Sequence, residues 1–362
     1  MEMAKPRADC EVVEFKDAGP RTKWEEYLTS GMEQHIGSYH LCLALFAALE
    51  CGIVARLKTK ATVREEILLS GCDEYLGGEL MRYLAIRGLV EKINDGYAAT
   101  DHGLRLFSDI SIAQLGFYVG AYGPVTQSLL PLTTGRVEYG HDVLRDGREL
   151  SRHCATLFHE FHTPIVLEAI RKMGADYILD LGCGGGQFLV DACRQNSGLR
   201  GVGLDIAPEA IEYAGELAQT EGLSNRLTFV VGDAFRPNTW PPICFQANAI
   251  TAVGVLHEHF RNGEQAVIEY LNTFAVILRR GLKGLILGEP ELYYDDAYND
   301  ADLFLIHIYT KQGFPRRREL WMRLFEKTEL ECRRIFTRPM AGPRFAFYDL
   351  IPKGIDLKNA EA

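Results

Sequence analysis

The 362-residue sequence predicts an α/β protein: a doubly wound, mainly parallel sheet in the second half, with a smaller helical domain before it. The first observation is five short apolar runs, YILDLG (177–182), RGVGLDI (200–206), RLTFVVGDAF (226–235), NAITAVGVL (248–256) and KGLILGE (283–289). The second is that helix-like stretches such as PEAIEYAGELAQ and GEQAVIEYLNTFAVILRR lie between them. Continuous apolar strands alternating with helices make a parallel sheet covered on both faces. The third is length, which exceeds one ordinary core and suits two domains. Two further runs, ECRRIF and FAFYDLIP, read as a terminal antiparallel edge.

The first half reads differently. Residues 1–30 suggest a loosely attached arm. An apolar helix is expected from Ser38 to Leu57, ended near Gly52. A second follows in TVREEILLSG, with Thr62 as cap and Glu65 three residues on. A third runs through GGELMRYLAIRGLVEK, and Asn94-Asp95-Gly96 marks a hairpin turn after it. Three helices and a small hairpin form a winged-helix pattern. The helix that would read a DNA groove carries Glu79, Met81, Arg82 and Arg87, a poor set for base contacts, so a dimerisation role is expected instead. Residues 109–172 read as a helical connector that reaches over the site, broken at Gly123-Pro124 and Gly135. The expected boundaries are 1–108, 109–172 and 173–362.

Composition narrows the function. A net charge of -10 speaks against nucleic acid as the main partner. The short basic run Arg316–Arg318 reads as a solvated helix start. No apolar run nears the ~18–20 residues of a membrane span. The polar N-terminal stretch lacks a signal core, which points to the cytoplasm. Nine scattered cysteines without CxxC pairs read as reduced core thiols.

The strongest signal is ILDLGCGGGQFL, where an apolar strand runs into Asp180, Gly182, Gly184 and Gly186 and then a helix. Such a turn brings backbone close to a ligand at a helix N-terminus. No phase of G-x-G-x-x-G fits, because its third glycine falls on Gln187 or Leu189. The D-x-G-x-G-x-G pattern resembles motif I of class I S-adenosylmethionine methyltransferases. That resemblance implies contact of Asp180 with the methionine end of the cofactor, of Asp205 with the ribose hydroxyls, and of Asp233-Ala234-Phe235 with the adenine. Each acid alone also fits a helix cap.

The fourth run leads directly into His257-Glu258-His259. With the winged-helix half, this resembles the dimeric small-molecule O-methyltransferases over about residues 35–352, where the histidine at His257 is a general base. That family has Asp-Trp next; this chain has Glu258-His259. The later His307 resembles a position in a smaller group, the 2-oxo acid (phenylpyruvate-type) C-methyltransferases. That resemblance implies one iron ion held by His257 and His307. Glu258 is the expected near-site acid orienting His257 or a bound water, and His259 a surface or outer histidine. A carboxylate anchor is expected from Arg136 or Arg145, with Arg148 also in the connector. Phe158, His159 and His162 read as pocket wall or packing. The favoured reaction is metal-assisted C-methylation of a 2-oxo acid by a homodimer. The alternative is metal-free O-methylation of a phenol.

Overall fold

The computed structural model describes residues 13, 19, 22–293, 301–311, 313, 316–338 and 344–354. The expected N-terminal arm lies largely outside these. So does part of the acidic tract after the fifth apolar run. The chain forms two compact units, Met1–Thr100 and Asp101–Ala362.

The first unit is helical, with one small sheet. A helix Lys23–Thr29 is closed by a capping box between Thr22 and Glu25. The apolar helix spans Met32–Glu50 and stops before Gly52, whose φ of +74° breaks it from a short turn of helix, Ile53–Arg56. A third helix, Glu74–Ile86, is capped by Asp73. Three strands, β1 (Val63–Arg64), β2 (Val90–Ile93) and β3 (Gly96–Ala99), form an antiparallel sheet in the order β1-β3-β2. The expected cap at Thr62 is corrected here. Val63 and Arg64 pair with Tyr97 and Gly96, so the chain is extended where a helix was expected to start. The helix begins only at Glu65, whose carboxylate accepts from Lys92 Nζ at 3.1 Å rather than folding back on a cap.

The second unit holds a seven-stranded sheet of β4 (Tyr177–Leu181), β5 (Arg200–Asp205), β6 (Leu227–Val231), β7 (Ala249–Val253), β8 (Leu285–Pro290), β9 (Leu330–Thr337) and β10 (Phe345–Pro352). The order is β6-β5-β4-β7-β8-β10-β9, parallel from β6 to β8 and antiparallel beyond. Successive strand residues face opposite sides, which divides the core in two. Leu179 and Leu181 pack with helices Glu264–Leu278 and Arg318–Glu326. Ile178 packs on the other face, with helices Thr163–Met173, Gln187–Gln195 and Pro208–Thr220. The chain reverses its winding between β4 and β7, and ligands of such sheets lie outside the carboxyl ends of the strands there. This is a Rossmann-like, doubly wound fold, preceded in the chain by a helical region.

Two expectations on composition read differently in the structure. The basic run is only partly solvated, because Arg318 makes a two-pronged pair at 2.8 and 3.0 Å with the buried Glu291. All eight described cysteines are free, yet only Cys183, Cys193 and Cys244 are buried, so the thiols are not all core residues. Among the described residues, no helix is long and apolar enough to cross a membrane.

Candidate active site

The carboxyl ends of β4, β5, β6 and β7 surround a cavity of about 660 Å³. Gly182, Asp205, Asp233, Ala234 and Phe235 line it. The structure thus brings together five of the residues singled out from sequence. At Gly186 the φ is +76°, and a Cβ would stand 2.7 Å from the Phe229 ring and 2.9 Å from Ala214, so only glycine lets the helix start against the sheet. The Gly184 N–H donates to Asp205 Oδ2 and the Ala207 N–H to Oδ1, both at 2.9 Å. Those two bonds fix the Asp205 carboxylate at the cavity wall. Asp233 is held in a similar way, accepting from the Phe235 N–H at 2.8 Å.

Asp180, Gly184 and Gly186 are not on the cavity lining. Asp180 is buried in the sheet and accepts from the Thr251 hydroxyl at 2.6 Å. Burial pushes its carboxyl up to about 7. His259, expected as a surface or outer histidine, stacks on Phe235 with ring centres 4.6 Å apart and 13° between planes, and it lines the cavity.

Beside the cavity stands a pair of buried imidazoles. His257 lies in the turn Leu256–Asn262 that follows β7, between the lining residues Val255 and Glu258. His307 lies on the helix Ala301–Thr310. Their Nε2 atoms are 3.3 Å apart. The Nδ1 of His257 is 2.7 Å from Glu289 Oε2, and the other oxygen of Glu289 accepts from the Leu256 N–H, also at 2.7 Å. The Nδ1 of His307 is 2.7 Å from the Leu303 carbonyl. A carbonyl only accepts, so His307 carries its proton on Nδ1. An ionised carboxylate also only accepts, which places the proton of neutral His257 on Nδ1. Both Nε2 lone pairs then face each other, an arrangement that needs a proton or a metal ion between them. Burial, and after it the repulsion that a protonated His257 would exert, pushes the His307 imidazole down to about 4, with Arg145 adding to the effect.

Glu289 is the residue missed from sequence. It is fully buried at the end of β8, a strand otherwise made of Leu, Ile, Gly and Pro. A lone acid inside an apolar strand has to be paired, and that was the available signal. Glu258, expected to orient His257 or a bound water, lines the cavity and turns its carboxylate to Arg261 at 2.9 Å and Arg145 at 3.5 Å. Arg145 lines the cavity and donates to the Tyr122 hydroxyl at 3.1 Å. Arg136, the other anchor candidate, lies off the cavity lining: it is exposed and donates to Thr134 Oγ1 at 3.0 Å. Arg148 is exposed as well. His162 is buried against Phe158, Phe345 and Phe347, while His159 is 2.8 Å from Asp191.

A family model described as a methyltransferase domain matches residues 174–263, the segment that builds the cavity. The chain is 27% identical over 295 residues to a 2-ketoarginine methyltransferase of Streptomyces arginensis, covering 76% of this chain and 79% of that one. Among solved structures it is similar to the mitomycin 7-O-methyltransferase MmcR, with a TM-score of 0.67 and 20% identity over 91% of this chain and 99% of that one. It is also similar to CalO1, a methyltransferase of calicheamicin biosynthesis solved with S-adenosylhomocysteine bound, with a TM-score of 0.61 and 19% identity over 92% and 99% of the two chains. Fold, cavity and relatives together define an S-adenosylmethionine-dependent methyltransferase.

Proposed function

We propose that this methyltransferase is a cytoplasmic enzyme of specialised metabolism that methylates the carbon beside the keto group of a small 2-oxo acid, with His257 and His307 holding a metal ion. The observation that carries this reading is the 3.3 Å gap between two Nε2 atoms whose partner nitrogens are both engaged. Two imidazoles on one ion, with bonds of about 2.1 Å and an angle of about 90–110°, stand about 3.0–3.4 Å apart. Glu289 and the Leu303 carbonyl orient the rings as outer partners of metal-bound histidines do. Among the described residues no group of three His, Cys, Asp or Glu forms a ready-made cage. A two-histidine site leaves positions for substrate oxygens. The metal, iron in the group that this chain resembles, would supply Lewis-acid stabilisation of the enolate. The 27% identity to a 2-ketoarginine methyltransferase supports the substrate class.

The chain's own residues do the rest. Arg145, on the cavity wall, would bind the substrate carboxylate, and its 3.5 Å contact with Glu258 is loose enough to yield to a better partner. Asp205 would hold the ribose hydroxyls, and the Phe235–His259 stack would face the adenine. Asp205→Ala is expected to weaken S-adenosylhomocysteine about tenfold or more, the worth of hydrogen bonds to a charged acceptor. Calorimetry checks this, and unchanged affinity would remove Asp205 from the cofactor site.

We also propose homodimerisation through the first unit, the expected winged-helix half. Met32, Ile36, Tyr39 and Leu43 form an exposed apolar stripe at helical spacing, with Trp24 and Leu28 exposed on the preceding helix. A monomeric mass in solution scattering would rule this out.

Elemental analysis of the purified protein, with His307→Ala beside it, tests the metal site. Near-stoichiometric metal in the wild type and its loss in the variant support it. The second reading, a metal-free O-methyltransferase of a phenolic small molecule, draws on the His257–Glu289 pair, which suits a general base. Metal-free protein with full activity on a phenol would establish that reading and overturn the first.

A further inference from the structure

The two imidazoles come from segments 50 residues apart, so something must fix their spacing. The His307 helix ends at Thr310. Lys311 takes a φ of +49°, and Gly313, buried, takes a φ of +89°. A Cβ on Gly313 would stand 2.4 Å from the His257 carbonyl oxygen, 3.3 Å from the Arg261 nitrogen and 3.4 Å from the Glu258 carbonyl oxygen. All three atoms are backbone of the turn that carries His257, so no rotamer change relieves the clash. Gly313 therefore touches the main chain of one histidine while standing six residues after the other on the same strand of chain.

We propose that Gly313 is a positioning residue, whose bare backbone against the His257 carbonyl sets the gap between the His257 and His307 imidazoles. Alanine there would have to push the turn by roughly 1 Å to reach ordinary contact. A shift of that size in a catalytic group costs up to about 10²-fold in rate. The inference rests on the proposed roles of the two histidines, so its test includes a readout that needs no substrate or metal.

The variant is Gly313→Ala, with Gly354→Ala as control. Gly354 has a φ of +79° and open space around its Cβ position, so it carries the backbone strain without the contact. The crystal structure of Gly313→Ala is expected to show the Nε2 separation changed by about 0.5 Å or more, within the ~1 Å displacement that the contact demands. Its kcat is expected to fall about tenfold or more, with KM for the methyl donor and affinity for S-adenosylhomocysteine within about twofold. An unchanged separation overturns the proposal, as does a kcat loss matched by Gly354→Ala. A changed separation with unchanged kcat would leave the positioning intact and reject the catalytic pair. If Gly313→Ala does not fold, one glycine inserted after Lys311 slackens the link without adding a Cβ; the same selective loss of kcat is expected, and wild-type kcat would overturn the proposal.

Discussion

Replacing His257 with alanine is expected to lower turnover by about 10³-fold while leaving cofactor affinity nearly unchanged. The two halves of this result have separate causes. His257 is not on the lining of the cavity formed by Gly182, Asp205 and Phe235, so its loss removes no contact there. Its Nε2 is the atom that either binds the metal or takes the substrate proton, and on both readings nothing else stands in its place. His307 cannot substitute: its burial holds it at about 4, and its other nitrogen is tied to the Leu303 carbonyl. Single-turnover transfer of a labelled methyl group would measure the effect. Activity within about tenfold of wild type would remove His257 from the chemistry.

The second large effect is expected from Glu289→Gln, which changes almost no volume. Glu289 accepts two hydrogen bonds, one from the Leu256 N–H and one from His257 Nδ1. A glutamine has one accepting oxygen and one donating amide. If the oxygen stays on the Leu256 N–H, the amide faces Nδ1, which must then accept. The proton of His257 moves to Nε2, and the lone pair that faces His307 is lost. Metal content and turnover should both fall, turnover by about 10²-fold, while the thermal midpoint changes little because Leu256 keeps its partner. A tautomer assignment of His257 by nitrogen NMR would check the cause. Wild-type turnover in a variant with the proton on Nε2 would sink this account of Glu289.

The glycine turn and the strand-end acids were legible because their chemistry is local: strand, turn and helix follow one another within about a dozen residues. The parallel pairing from β6 to β8 was likewise implied by the alternation of strand and helix. What escaped was set by contacts between distant segments. Glu258 follows His257 in sequence, yet the turn Leu256–Asn262 directs it to Arg145 and Arg261. Glu289, 32 residues away, reaches His257 because β7 and β8 are neighbours in the sheet. Thr62 looked like a cap because its spacing to Glu65 was right, and pairing with the hairpin overrode that local preference. His259 looked peripheral because sequence spacing could not place it over Phe235.

The position of β10 has a consequence for how the molecule is made. This strand is hydrogen-bonded on both sides, to β8 and to β9, although it is the last of the ten described strands to be synthesised. Until residues 345–352 leave the ribosome, the strand that bears Glu289 presents an unpaired flank, of the kind that recruits other chains into aggregates. Assembly of the histidine pair's support thus waits on residues 345–352, and cells producing this enzyme would gain from a chaperone that shields that flank in the interval.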